Sequence, residues 1–151
     1  MKILAIIIVS LLFSASLFAQ PLLANNKVNN SSKVEFLTKE TFKQKVYDYS
    51  KSKNWKFKGK VPAIIDFYAD WCRPCKMLSP FIESASETYK GKLVVYKVNT
   101  DNEQELSQLF NITSIPAVLF IPANGQPQMN VGYMTKEELD KKIKDILKIS
   151  K

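Results

Sequence analysis

Two cysteines two residues apart, Cys72 and Cys75, stand in the stretch DFYADWCRPCKM and are the only two in the chain. Such a pair can close as a structural staple, supply half of a metal site, or open and close as a redox centre. The rest of the composition narrows the choice. The 151 residues include no histidine, and two thiolates alone fall short of the roughly four ligands of a mononuclear zinc site. No metal is implied. Haem attachment through C-x-x-C-H fails because Lys76 follows Cys75, and Ser-His-Asp or Cys-His catalysis lacks its base. An inert staple is the weaker reading, since a disulfide across two residues closes too short a loop to add much stability.

At the start of a helix, residues i and i+3 lie on one face, close enough for two sulfurs to join. Cys72 falls at the expected helix N-terminus, where unpaired backbone N–H groups and the dipole favour an anion, so its thiolate is the more stable and it is the expected nucleophile. Cys75, one turn in and more buried, suits the resolving thiol that attacks the mixed disulfide. Arg73 adds positive charge beside Cys72. Pro74 fixes φ in the first turn, where no helical donor is needed.

Several elements must position this pair. KVEFL is a short strand candidate beginning at Lys33, and TKETFKQKVYDYS places Phe42, Val46 and Tyr49 at helical spacing behind a Thr38 N-cap. VPAIIDFYA is a continuous apolar run, as for a strand buried on both faces, with Asp66 as its one acid. A helix is expected from Trp71 to about Tyr89, kinked by Pro80 and stopped by Gly91. KLVVYKVN is a second buried strand with Lys97 as its odd polar member. TDNEQELSQLF reads as a helix capped by Asp101, with Gln104 at the capping-box position. SIPAVLFI and QPQMNVGYM follow as strands joined at Asn124-Gly125, and TKEELDKKIKDILKI closes the chain behind a Thr135/Glu138 capping box with Leu139, Ile143, Ile146 and Leu147 as its apolar stripe. The resulting βαβαβαββα order predicts an α/β domain: a central mixed β-sheet with helices on both faces.

WCRPCK resembles the thioredoxin motif, usually W-C-G-P-C-K, and the resemblance extends from about Lys33 to Ile149. It implies the thioredoxin fold and dithiol–disulfide exchange at Cys72 and Cys75, which alternate between dithiol and disulfide. It places Asp66 where the family has the buried aspartate that assists proton removal from the resolving cysteine, and Lys97 where that aspartate has its lysine partner. Trp71 shields the reactive sulfur and contacts substrate together with Arg73 and Pro74. SIPAV resembles the loop of the family's cis-proline, here Pro116, with Ile115 before it, and NVGYM the strand whose glycine, here Gly132, leaves room for the substrate chain. Two departures stand out: Arg73 replaces a glycine within the dipeptide that helps set the reduction potential, and NWKFKGKVP lengthens the approach to the active-site strand.

A third departure lies at the N-terminus. MKILAIIIVSLLFSASLFAQ, with Lys2 ahead of an apolar stretch and no further charge until Lys27, has the build of a secretory signal peptide. Cleavage after Ala19 is the first choice, despite Leu17 at −3, and Ala24 the second; an uncleaved leader would anchor the domain in a membrane. The expected organisation is a signal peptide over 1–19, a flexible polar linker over 20–32 and the thioredoxin domain over 33–151, exported to the periplasm or an equivalent extracytoplasmic space.

The formal net charge is +8, and between Lys39 and Lys60 eight lysines face only Glu40 and Asp48. The run could serve a nucleic acid or an anionic membrane, but an exported chain meets little nucleic acid, and a solvated lysine-rich loop that aids solubility is the expected role. Exported oxidants of the family typically carry histidine between the cysteines, and cytochrome c maturation reductants an extra segment before the cis-proline; this chain has neither. The expectation is therefore a monomeric reductant of protein disulfides, recharged by a membrane protein that carries electrons outward and needing no bound cofactor. A disulfide oxidase or isomerase, a maturation reductant and a non-catalytic interaction module are the rival readings.

Overall fold

The computed structural model describes residues 34–151, so the expected signal peptide and linker lie outside the described residues. The elements are β1 Glu35–Phe36, α1 Lys39–Lys45, β2 Ala63–Tyr68, α2 Arg73–Thr88, β3 Val94–Asn99, α3 Gln104–Leu109, β4 Ala117–Ile121, β5 Gln128–Val131 and α4 Lys136–Leu147. The five strands form one sheet in the order β1-β3-β2-β4-β5, parallel across β1, β3 and β2 and antiparallel from β2 through β4 to β5. This is the thioredoxin fold.

β2 occupies the centre, and its alternation explains why its sequence is apolar throughout. Ala63, Ile65 and Phe67 face one core with Phe42 of α1 and Leu106 of α3. Ile64 faces the other with Leu78, Ile82 and Ala85 of α2 and Leu139, Ile143 and Leu147 of α4. With both faces covered, no position on the strand is free to be polar without a reason. Asp66 is that exception, on the face shared with Ile64.

The helix starts follow local chemistry. Thr38 caps α1 by accepting from the Thr41 amide and Thr135 caps α4 by accepting from the Glu138 amide; in each case the N3 side chain returns a bond to the cap. α2 runs through Pro80 without ending. It stops at Thr88, and the chain turns through Gly91 at φ 78°, where a side chain would be strained.

Several elements are shorter than expected, with α2 beginning at Arg73, β4 at Ala117 and β5 covering only Gln128–Val131, and two helix boundaries differ for a reason the contacts show. α1 ends at Lys45 rather than continuing through Tyr49, because Val46 and Tyr47, adjacent in sequence, are both drawn into the core. A helix would turn them about 100° apart. Residues 46–58 instead form a loop closed by the bond from the Lys58 amide to the Val46 carbonyl (2.9 Å). Trp55 packs its ring 4.9 Å from Tyr47 and 6.4 Å from Phe110, while Lys53, Lys56 and Lys60 are exposed. The lysine run thus divides: Lys39, Lys43 and Lys45 lie on α1 and pair with Glu105 or Glu35, Lys51 and Lys58 pair with Asp48, and the aromatic-backed loop holds Lys53 and Lys56 in solvent. At the second boundary α3 begins at Gln104 with Glu103, not Asp101, as N-cap and without a side-chain cap bond. The Glu103 carboxylate accepts from the Lys39 amide (2.9 Å), and Asp101 is committed elsewhere.

Candidate active site

The site forms at the C-terminal ends of β2 and β3, where a parallel sheet leaves a crevice. β2 delivers Tyr68, Ala69, Asp70 and Trp71 to Cys72, the N-cap of α2. Cys72 and Cys75 are joined in a disulfide (S–S 2.01 Å), and each is 3% exposed, so Cys75 is not the more buried of the two as expected: the closed ring draws both sulfurs under the same cover of Ala69 and Ile115. The Cys72 Sγ accepts from the Cys75 amide at 3.2 Å. That amide is one of the unpaired donors of the helix start, so charge appearing on this sulfur meets a donor already in place. Arg73 and Pro74 occupy the first two helical positions, both exposed.

The opposite wall comes from the start of β4 and the end of β5. Ile115 packs against the cluster of Ala69, Cys72 and Cys75. The Ile115–Pro116 peptide is cis, and the Pro116 carbonyl accepts from the Gly132 amide at 2.8 Å. Gly132 has φ 98°, and a Cβ there would meet no atom within 4 Å, so backbone conformation and not crowding calls for glycine. Val131 and Tyr133 on either side of it are exposed, as is Trp71 beside Cys72.

Trp71 is 71% exposed and held by its edge: its indole N–H donates to Asp101 Oδ2 at 3.0 Å. Asn99 supports that arrangement, accepting from the Asp101 amide at 3.0 Å and donating to Asp70 at 3.2 Å. The sequence offers Asp101 only as a helix cap and gives Asn99 no role, because their partners Trp71 and Asp70 lie 30 and 29 residues away in the chain.

Beneath the disulfide, Asp66 and Lys97 stand opposite each other in the β2–β3 register. Asp66 is fully buried and Lys97 is 6% exposed; Nζ lies 3.5 Å from Asp66 Oδ2, an ion pair longer than a charge-assisted hydrogen bond. Burial pushes the Asp66 carboxyl up to about 6; the charge of Lys97 opposes the shift and that of Glu83 adds to it. Lys97 donates instead to Ser79 Oγ on α2 and lies 4.8 Å from the centre of the Tyr68 ring.

The thioredoxin family model matches residues 33–145. The chain belongs to the thioredoxin family. It is 49% identical over 109 residues to the thioredoxin of Borreliella burgdorferi, covering 72% of this chain and 93% of that protein. It is 35% identical to thioredoxin 1 of a Nostoc species, covering 68% of this chain and 87% of the relative. Among solved structures, chloroplastic thioredoxin z superposes with a TM-score of 0.60 over 71% of this chain and 88% of that one, at 24% identity, a likeness of fold. As a thioredoxin-family protein the chain is a dithiol–disulfide oxidoreductase acting on protein disulfides, with Cys72 and Cys75 as its redox pair.

Proposed function

We propose that this thioredoxin works outside the cytoplasm as a reductant of protein disulfides. The observation that carries the reading is the Cys72 sulfur at the N-cap of α2, accepting from the Cys75 amide and followed in the chain by the exposed Arg73 and Pro74, with Ile115 of the cis-proline loop packed against the pair. In the dithiol form the Cys72 thiolate attacks one sulfur of a substrate disulfide lying against Trp71, Ile115, Pro116 and Gly132. A mixed disulfide forms and the first substrate sulfur leaves as a thiolate. Asp66 then accepts the Cys75 proton; the Cys75 thiolate attacks Cys72, the bond to substrate breaks, and the second substrate sulfur departs. Two electrons pass from the protein dithiol to the substrate. Lys97 keeps the carboxylate charge tolerable in its buried site. Arg73 and Pro74 present the helix start to the incoming chain.

The location rests on the leader-like MKILAIIIVSLLFSASLFAQ stretch. In an oxidising space the protein cannot recharge itself, so its electrons come from a membrane protein of the thiol–disulfide class. The test is the reduction potential of the Cys72–Cys75 couple in glutathione or dithiothreitol buffers. A value of roughly −230 mV or below supports a reductant; one near −120 to −180 mV overturns it in favour of an oxidase or isomerase, with Arg73 the first residue to exchange for glycine.

A further inference from the structure

The mechanism uses Asp66 and Lys97 but leaves a third group on the same path unexplained. Ser79 stands four residues after Cys75 and four before Glu83, so the three share one stripe of α2. Its hydroxyl accepts from Lys97 Nζ and donates to Glu83 Oε1 at 3.1 Å. A chain of hydrogen bonds therefore runs from the buried ammonium, through Ser79, to a carboxylate in solvent. Asp66 lies 3.5 Å from the same ammonium, longer than a charge-assisted hydrogen bond.

We infer that Ser79 is a positioning residue for the resolving step: by accepting one of the three N–H groups of Lys97 it holds the ammonium 3.5 Å from Asp66, beyond the length of a charge-assisted hydrogen bond, with Glu83 fixing the hydroxyl from outside. The consequence is chemical. A carboxylate that accepted a charge-assisted hydrogen bond from Lys97 would be stabilised as the anion and would be a weaker base. Left with charge proximity alone, it remains basic enough to take the Cys75 proton. The step balances: the S–H bond of Cys75 breaks and its proton passes to Asp66. The Cys75–Cys72 bond then forms as the Cys72–substrate bond breaks, and the substrate thiolate takes a proton from water.

Asp66 faces Lys97 from β3 and Glu83 from α2. Tyr68 on its own strand stacks on the ammonium and has its phenol raised chiefly by burial, with the Asp66 charge contributing. β4 brings only Val118 opposite it. Tyr68 offers the ammonium its ring face, and Ser79 supplies the hydroxyl that accepts from it.

The inference rests on the proposed role of Asp66 as proton acceptor and holds for either net direction of electron flow. It is tested by following the carboxyl carbon of Asp66 by NMR through a pH titration of the disulfide form, in which no thiol titrates, and by the pH profile of substrate release in the dithiol form. In Ser79→Ala the ammonium turns to Asp66, and both midpoints fall by about one pH unit. Ser79→Thr, which restores the hydroxyl, returns them to the wild-type position. An alanine variant whose midpoints stay in place overturns the inference. Glu83→Gln, at an exposed position that folding does not depend on, removes the outer charge and moves the midpoint the same way by less; no movement there counts against the relay equally. Asp66→Asn separates the two levels. If it leaves the release profile unchanged, the proton-acceptor reading fails and the role of Ser79 fails with it. If it removes the acid limb while Ser79→Ala moves nothing, only the role of Ser79 is lost.

Discussion

At the scale of single residues, the two cysteines have unequal work although both are 3% exposed. The sulfur that accepts the Cys75 amide is the one that attacks, so Cys72→Ser lowers the rate of disulfide reduction by about 10³-fold or more. Cys75→Ser leaves attack intact and blocks release, and the protein accumulates as a mixed disulfide with substrate, visible by non-reducing electrophoresis and mass spectrometry. Equal loss in both variants without a trapped species would remove the distinction. Asp66 gives a prediction with a sign. Its carboxyl is raised from an ordinary 3.8 to about 6, so between these values the folded protein holds a proton that the unfolded chain has lost. Stability from this group is thus lost as pH rises from about 4 to about 6, the reverse of a carboxylate with a lowered pKa. Relative to wild type, Asp66→Asn should gain up to about 3 kcal/mol across that window, whatever the offset caused by leaving Lys97 without its partner. Denaturant unfolding at a series of pH values measures the slope, and parallel curves would show that Asp66 titrates normally.

At the scale of elements, what the chain declares locally and what it decides at a distance separate cleanly. The apolar runs around Ile64, Val95 and Leu119 announce central strands, and Thr38 and Thr135 announce helix starts, because each signal lies within a few residues of what it specifies. The end of α1 and the start of α3 differ from the local signals because their causes are remote: Tyr47 leaves the helix to meet Trp55, which in turn packs near Phe110, and Glu103 and Asp101 serve Lys39 and Trp71. The site divides the same way. The C-x-x-C pair is visible as a spacing, whereas Asp66 facing Lys97 is a matter of strand register, reached from sequence only through the family resemblance. Ser79 sits at i+4 from Cys75, a spacing that was available to reading and carried no meaning until Lys97 was seen to reach it. β5 supplies the testable case. Gly132 follows that edge strand at φ 98° with open space around its missing Cβ. Gly132→Ala should fold, cost about 1 kcal/mol through backbone strain alone, and raise KM for a protein substrate more than it lowers kcat. A loss of 3 kcal/mol or more in thermal unfolding would mean that packing, not conformation, requires the glycine.

At the scale of the whole molecule, the sheet separates two surfaces with different tasks. The loop of residues 46–58 joins α1 to the N-terminal end of β2, whereas Cys72 follows its C-terminal end. The lysines of the loop can therefore keep the protein soluble without adding charge beside the two cysteines. Catalysis needs the disulfide repeatedly reduced, and that need ties the protein to its compartment. If the chain is exported and recharged across a membrane, trapping thiols with an alkylating reagent in intact cells should find most of the mature protein as dithiol in the extracytoplasmic fraction. The Cys72–Cys75 disulfide should accumulate there once the membrane donor is removed, since the surroundings only oxidise. The dithiol form persisting without that donor would show that reduction reaches the protein another way, and recovery of the protein in the cytoplasmic fraction would end the case for export. The two results are independent, because a cytoplasmic thioredoxin would keep the same site and require only a different source of electrons.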